Sequence, residues 1–208
     1  MMNLSFALLL ALFTTIHALS TSAPKSRRAF LNAGAAITAT SFTALSPAFA
    51  GVPPTGVKAP AFDLPNSRGE GFTSLETLTK TGKWTVLYFY PGAFTSGCTL
   101  EARGFQRDIE QYKKLGAQIV GVSVDAPEKN AQFCTAEGLD FYMLSDTNGR
   151  VSKEYGSAIT IPGFGSFSNR QTYIIDPDGN LRWVFTDVES KIARHSAEVL
   201  EKLSELKA

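Results

Sequence analysis

The chain has few of the residues that build disulfide scaffolds or metal sites. Its 208 residues include only two cysteines, Cys98 and Cys134, and two histidines, His17 and His195. Two cysteines are too few for a disulfide-stapled fold, and no Cys-x-x-Cys pair or Cys/His cluster indicates a metal. The histidines lie far apart, and we predict His195 on a surface helix. Neither is therefore a candidate ligand or catalytic base.

The chain also has little net charge. Its formal charge of +1 gives no reason to expect a nucleic-acid partner. With 44% hydrophobic and 19% charged residues, the composition is typical of a globular domain with a full core. No internal repeat or low-complexity segment follows residue 50, so we predict a single domain over residues 51–208.

Acidic residues are absent from the first 50 positions, as in targeting segments. Residues 4–16 form an apolar run of 13 residues, the length of a signal-peptide core and too short to span a bilayer comfortably. Arg27 and Arg28 are followed by a mildly apolar stretch and then by a small-residue cleavage site at Ala48 and Ala50. The second segment resembles a twin-arginine export signal.

We interpret residues 1–50 as a bipartite leader, signal-like over 1–25 and twin-arginine-like over 26–50. The arrangement resembles that of a nucleus-encoded plastid protein whose destination is the thylakoid lumen. The chloroplast stroma or another exported compartment is the alternative destination. The alternative interpretation is that one of the two apolar runs is a membrane anchor. Cleavage after Ala50 would remove both runs, so we expect no stable anchor in the mature protein.

A strand, a turn and a helix surround Cys98. Residues 84–90 are aromatic or β-branched almost throughout, which predicts a strand buried on both faces of a parallel or mixed sheet. Pro91 and Gly92 end it, and helical spacing of apolar residues begins directly afterwards. Cys98 then lies in the first turn of a helix, where unpaired N–H groups and the helix dipole favour the thiolate. The alternative is that Cys98 is a small buried hydrophobe.

The rest of the mature chain predicts an α/β fold. We predict that the Cys98 helix ends at Gly116 as its C-cap. A second buried strand after that helix makes a right-handed βαβ unit with two parallel strands. Asp178 and Gly179 form a hairpin turn near the end, before an amphipathic helix. The remaining predictions are a hairpin of residues 62–65 and 71–73, a helical turn at 74–78, strands at 118–124, 141–144, 171–176 and 181–187, helices at 127–137 and 150–155, and a Gly- and Phe-rich loop at 161–169.

Pro91, Thr95 and Cys98 spell P-x-x-x-T-x-x-C, which resembles the peroxidatic motif of the peroxiredoxins. Arg170 stands directly before Q-T-Y-I-I-D, as the arginine does in the second motif of that family. The order of elements is similar to the thioredoxin-like fold. The resemblance thus implies a central mixed β-sheet flanked by helices.

The resemblance also implies the chemistry of a thiol-dependent peroxidase that reduces hydrogen peroxide and small organic hydroperoxides. In such a protein Cys98 attacks the O–O bond and becomes a sulfenic acid. Thr95 holds the peroxide, Arg170 stabilises the charge on sulfur and on the leaving oxygen, and Pro91 shields the sulfur from water. Glu101 matches a C-x-x-E pattern seen in many members, or is an ordinary solvated acid of the first turn.

Residues 58–208 resemble most the peroxiredoxin Q group, also called bacterioferritin comigratory proteins. Many members have a resolving cysteine five positions after the first, where this chain has Arg103. Others have it in the following helix, a pattern that Cys134 fits, so Cys134 is either the resolving cysteine or an inert buried thiol. The resemblance further implies a thioredoxin-like reductant, a monomer, and no metal, haem or flavin cofactor.

Two other functions fit the same fold. A thiol-disulfide oxidoreductase usually needs a second cysteine in a Cys-x-x-Cys motif, and Glu101 occupies that position here. A non-catalytic factor of the thylakoid would keep the fold without a reactive thiol.

Overall fold

The computed structural model describes residues 51–69, 71–163 and 165–208. The predicted leader lies outside the described residues, so its two segments and its boundary stay predictions. The strands are β1 (Asp63–Pro65), β2 (Phe72–Ser74), β3 (Trp84–Phe89), β4 (Ala117–Ser123), β5 (Tyr142–Ser145), β6 (Ala158–Ile161), β7 (Gly165–Ser168), β8 (Gln171–Ile175) and β9 (Leu181–Phe185). The helices are α1 (Leu75–Thr79), α2 (Ser96–Arg107), α3 (Ile109–Lys114), α4 (Pro127–Glu137), α5 (Arg150–Glu154), a 3₁₀ segment (Glu189–Arg194) and α6 (His195–Lys207).

The central sheet has five strands in the order β5-β4-β3-β8-β9. Strands β3, β4 and β5 are parallel, while β8 runs antiparallel to both β3 and β9. The sheet is therefore mixed, and the predicted βαβ unit joins β3 to β4 through α2 and α3. Every residue of β3 is buried, in agreement with its continuous apolar sequence.

Two apolar layers cover the sheet. On one face Val86 and Tyr88 pack with residues of α2, α3, α4 and α6 in a cluster that also contains Cys98 and Cys134. On the other face Leu87 pairs with a second cluster built from the N-terminal hairpin, α1 and α5. Because the helices flank a mixed sheet on both faces, the predicted α/β class is confirmed.

The helix that carries Cys98 is shorter than its apolar spacing suggests. We predicted one helix ending at Gly116, but Asp108 interrupts it with φ −97° and ψ 5°. The carboxylate of Asp108 accepts hydrogen bonds from Arg107 Nε at 2.9 Å and Nη2 at 2.7 Å. Aspartate has a low helix propensity, and the chain continues after Asp108 as a separate short helix.

The predicted loop at 161–169 is wrong in part. Strands β6 and β7 form an antiparallel hairpin there, with Ile161 paired to Gly165. All four residues of β6 are exposed, so the segment has no buried face to produce the alternation by which strands are recognised. None of the helices in the described ranges combines the length and the apolar character needed to cross a membrane.

Candidate active site

The turn between β3 and α2 places Cys98 at the C-terminal edge of the sheet. Cys98 is the third residue of α2, and 1% of it is exposed. The preceding turn is tied to the end of β4, because the Ala93 N–H donates to Asp125 Oδ2 at 2.7 Å. The first-turn position confirms the prediction and leaves the sulfur beside N–H groups that lack helical partners.

Arg170 reaches the sulfur from the neighbouring strand. It directly precedes β8, whose first residue Gln171 is paired with Phe89 at the end of β3. Its Nη1 and Nη2 atoms both lie 3.5 Å from Cys98 Sγ. A Cβ atom on Gly97 would lie 3.0 Å from Nη2, so the absence of a side chain at Gly97 lets the guanidinium approach this closely.

Two carboxylates hold the guanidinium in place. Glu101 Oε2 accepts from Arg170 Nη1 at 2.7 Å, and Glu189 Oε2 in the 3₁₀ segment accepts from Arg170 Nε at 2.7 Å. Glu101 is 1% exposed, whereas the side chain of Glu189 is 74% exposed. The alternative in which Glu101 is a solvated acid is therefore wrong. Nothing in the sequence pointed to Glu189, which reads as an ordinary surface acid.

Burial and the neighbouring charges have opposite effects on the pKa values of Glu101 and Arg170. Burial raises the pKa of Glu101 to about 7, against the opposing effect of Arg170. Burial alone would lower the pKa of Arg170, but Glu101, Glu189 and the Cys98 sulfur outweigh it and raise that pKa above its usual range. Arg170 thus stays charged, while Glu101 changes its charge near neutral pH.

The other two motif residues lie in the turn before α2. Pro91 is half-buried directly after β3. Thr95 is exposed at the N-cap position, and its hydroxyl donates to the Gly92 carbonyl at 3.1 Å instead of capping the helix. The Thr95 oxygen keeps its capacity to accept a hydrogen bond, and its predicted contact with peroxide stays a prediction.

Cys134 lies near the end of α4 and is 9% exposed. Its thiol donates to Ser67 Oγ at 3.2 Å, and burial raises its pKa. A small surface cavity that includes Arg68 and Leu139 lies beside it. The structure holds Cys98 and Cys134 as two free thiols in one apolar cluster. Whether Cys134 resolves or is inert stays open at this point.

His195 begins α6, a helix with a solvent-exposed face as predicted, but its side chain is buried, which was not predicted from the sequence. His195 is 1% exposed, and its Nε2 lies 2.8 Å from Thr172 Oγ1 and 4.0 Å from Glu101 Oε1. Burial, with smaller effects of Arg170 and Lys191, lowers the pKa of His195 to about 4, so its ring is neutral. Helical spacing contained the missed signal, because His195 shares a face with the buried Val199 and Leu203 at positions i+4 and i+8.

The site lacks the ligands of a metal centre. Within the described ranges, no three His, Cys, Asp or Glu side chains lie close enough together to bind an ion. The arrangement instead places the Cys98 thiol against the permanent cation of Arg170, an electropositive setting of the kind in which reactive cysteines lie.

Comparison with known proteins places the chain in a family. The model of the AhpC/TSA family matches residues 55–184. The chain belongs to the AhpC/TSA family. Two similar curated proteins are peroxiredoxin Bcp of Escherichia coli, 35% identical over 71% of this chain and 93% of its own length, and the chloroplastic peroxiredoxin Q of Sedum lineare, 35% identical over 73% and 78%.

Solved structures of family members agree with the fold. Peroxidoxin BcpB of Mycobacterium tuberculosis superposes with a TM-score of 0.68 and 30% identity, covering 74% of this chain and 98% of that one. The bacterioferritin comigratory protein of Xanthomonas campestris gives a TM-score of 0.66 and 27% identity over 74% and 100%, and its structure is described in connection with alkyl peroxide reduction. The predicted thioredoxin-like peroxiredoxin fold and the predicted family of thiol-dependent peroxidases are confirmed.

Two further Xanthomonas structures bear on the second cysteine. They are single cysteine-to-serine variants of its peroxiredoxin Q, each 28% identical to this chain. The first has a TM-score of 0.66 and covers 74% of this chain and 99% of its own. The second has a TM-score of 0.65 and covers 73% of this chain and 98% of its own. The two substituted positions are 36 residues apart (84 − 48).

Proposed function

We propose that this AhpC/TSA family member reduces hydrogen peroxide and small organic hydroperoxides with Cys98 as its nucleophile. The observation that carries the proposal is the pair of 3.5 Å contacts from Arg170 to the Cys98 sulfur. A permanent cation at this distance stabilises the thiolate and the negative charge that develops on the leaving oxygen.

In the first step a lone pair of the Cys98 thiolate attacks the terminal oxygen of the hydroperoxide. The O–O bond breaks, the terminal OH is transferred to sulfur so that Cys98 becomes a sulfenic acid, and the leaving alkoxide or hydroxide takes from solvent the proton that the thiol released on ionising, so that it departs as alcohol or water. Thr95, exposed at the start of α2, holds the peroxide beside the sulfur, and Pro91 limits access of bulk water. Arg170, fixed by Glu101 and Glu189, binds the transition state.

In the second step the thiol of Cys134 attacks the sulfenic sulfur of Cys98, a disulfide forms and water leaves. The spacing of 36 residues (134 − 98) supports this role, because it equals the spacing of the two cysteines substituted in the Xanthomonas peroxiredoxin Q. Since the two sulfurs lie on different helices, α2 or α4 opens locally before they join. A thioredoxin-like dithiol then reduces the disulfide, and we propose that the protein works as a monomer.

We further propose that the protein acts in the plastid, in the thylakoid lumen. The plastid is supported by the chloroplastic peroxiredoxin Q relatives, and the lumen by the twin arginines at 27 and 28. A reporter fused to residues 1–50 should reach the lumen, and the double substitution R27K/R28K should leave it in the stroma. Lumenal arrival of the doubly substituted fusion would contradict the lumen assignment.

The function is tested by mixing the reduced protein with hydrogen peroxide or cumene hydroperoxide and following consumption in the presence of a thioredoxin system. We expect consumption by the wild type and none by Cys98→Ser. An insulin-reduction assay run in parallel separates a peroxidase from a thiol-disulfide oxidoreductase. Insulin reduction without peroxide consumption would overturn the proposal.

A further inference from the structure

Two buried polar atoms in the described part of the chain have no hydrogen-bond partner, and they belong to neighbouring residues. They are Glu101 Oε1 and His195 Nδ1. The two side chains face each other through the other ring nitrogen, with His195 Nε2 4.0 Å from Glu101 Oε1. Because buried polar atoms nearly always find partners, this pair calls for an explanation.

The choice of tautomer links the two residues. With the proton on Nδ1, the ring would bury an N–H that has no acceptor, and Glu101 Oε1 would still have no donor. With the proton on Nε2, the ring donates to Thr172 Oγ1 at 2.8 Å and also points an N–H toward Glu101. The second tautomer leaves an unused acceptor at Nδ1, and it frees the Thr172 hydroxyl hydrogen, which can rotate toward another acceptor as a ring N–H cannot. It is therefore the favoured one, because an orphaned buried N–H is rarer than an orphaned acceptor.

We propose that His195 is a positioning residue of the site. Its Nε2–H, oriented by Thr172, interacts with Oε1 of Glu101. This interaction helps Glu101 to hold Arg170 against the Cys98 sulfur. A shift of roughly 1 Å would bring the ring and the carboxylate within hydrogen-bond distance. The link runs from α6 through α2 to the start of β8. The proposal rests on the proposed role of Cys98, but the ionisation of Glu101 can be measured apart from catalysis.

The surroundings keep the His195 ring neutral. The charged and titratable groups that act on Glu101 or His195 are Arg170 before β8, Glu189 and Lys191 in the 3₁₀ segment, and the Tyr88 phenol on β3. Arg170 and Lys191 oppose a second positive charge on the ring. Edge contacts to Phe105 and Phe185, with centroids at 5.8 and 5.3 Å, keep the imidazole in an apolar setting.

The direct test is the pKa of Glu101 in the reduced full-length protein, followed by ¹³C NMR of labelled glutamate carboxyls and assigned by the signal lost in Glu101→Gln. His195→Phe fits the aromatic surroundings but has no N–H. We expect it to raise the pKa of Glu101 by about 1 pH unit, a tenfold change in ionisation constant. His195→Gln, which keeps an N–H donor, should recover at least half of that shift.

The matched control is Val199→Ala, which loosens the same face of α6 without removing a polar group. It should leave the pKa of Glu101 within about 0.2 pH units of the wild type, because it changes packing alone. An unchanged Glu101 pKa in His195→Phe, or an equal shift in Val199→Ala, would overturn the proposal. Should His195→Phe fail to fold, His195→Leu, which also lacks an N–H, takes its place: a Glu101 pKa about 1 pH unit above that of His195→Gln supports the role, and equal values in the two variants refute it.

A kinetic readout completes the test. The peroxide reaction rate plotted against pH should show an inflection at the pKa of Glu101 in the wild type. In His195→Phe this inflection should move to higher pH. If the wild type consumes no peroxide while the NMR shift is observed, the proposed function fails and the role of His195 stands. If peroxide is consumed and the inflection stays in place, the role of His195 fails alone.

Discussion

Cys98 and Cys134 belong to one apolar cluster and are both buried, yet their sulfurs meet different groups. Cys98 Sγ has two guanidinium nitrogens of Arg170 at 3.5 Å. Cys134 Sγ has a serine hydroxyl at 3.2 Å, and burial raises its pKa. Burial disfavours the charged form of a thiol, whereas a nearby cation favours it. The contrast supports the proposal that Cys98 attacks first and that Cys134 reacts afterwards with the sulfenic acid.

The largest effect should come from Cys98→Ser. A serine hydroxyl stays protonated beside Arg170 and is a poor nucleophile, so the peroxide reaction should fall by about 10³-fold or more. Stopped-flow measurement of peroxide consumption checks this. Cys134→Ser serves as the control, since its first turnover should be retained.

Arg170→Met should lower the rate of the peroxide reaction by about 10²-fold or more, because the charge that stabilises the transition state is lost. It should also lower the free energy of unfolding by about 3–5 kcal/mol above pH 7, because it leaves the Glu101 carboxylate buried without its partner. Chemical denaturation checks the second effect.

Arg103→Met is the matched control for Arg170→Met. Arg103 also lies on the site's helix and pairs with Glu137, but its side chain is 66% exposed. We expect a change of at most about 1 kcal/mol and a normal rate. Equal losses of stability in the two variants would show that the buried ion pair of Arg170 stabilises the fold no more than the exposed ion pair of Arg103.

Cys134→Ser should separate the two halves of the catalytic cycle. The first turnover should stay within about twofold of the wild type, while steady turnover with a thioredoxin system should fall about tenfold or more, because the sulfenic acid has no internal partner. Mass spectrometry should find one added oxygen on Cys98. Unimpaired steady turnover would favour a one-cysteine mechanism.

The smallest effect is a change in how stability depends on pH. The pKa of Glu101 is raised to about 7 from 4.5, so in that window the native state holds a proton that the unfolded state has lost, and stability falls as pH rises. The pKa of His195 is lowered to about 4 from 6.5, so in that window the unfolded state holds the extra proton, and stability rises with pH. In the wild type the two slopes offset each other.

Substitution should expose each slope separately. Between about pH 4.5 and 6.5, Glu101→Gln should become more stable with rising pH and His195→Phe less stable, each by about 1.4 kcal/mol per pH unit relative to the wild type. Urea denaturation at several pH values checks this. Curves that run parallel to the wild type in both variants would contradict the assigned ionisations.

The sequence predicts the parts of this site that depend on local pattern. The aromatic run of β3, the break at Pro91 and the helical spacing after it place Cys98 in the first turn of α2. The β6–β7 hairpin was missed, since all four residues of β6 are exposed and give no alternating pattern. The burial of His195 was missed because the prediction gave more weight to its polar ring than to its i+4 spacing from the buried Val199. The residues that the His195 ring faces lie in β8 and α2, which are distant in sequence.

The contacts that join distant segments could not be read from pattern. Glu189 meets Arg170 only because the 3₁₀ segment folds over the start of α2. The resemblance indicated that Arg170 faces the sulfur. In the structure Arg170 reaches the sulfur because strand β8 pairs with β3 and because Gly97 leaves room for the guanidinium.

The most direct measurement is peptide mapping after one equivalent of hydrogen peroxide is added to the reduced protein and unreacted thiols are alkylated within seconds. We predict a Cys98–Cys134 disulfide in the wild type, and a dimedone-trapped sulfenic acid at Cys98 in Cys134→Ser. Oxidation found at Cys134 while Cys98 is still fully alkylated would contradict the assignment of Cys98 as the attacking thiol.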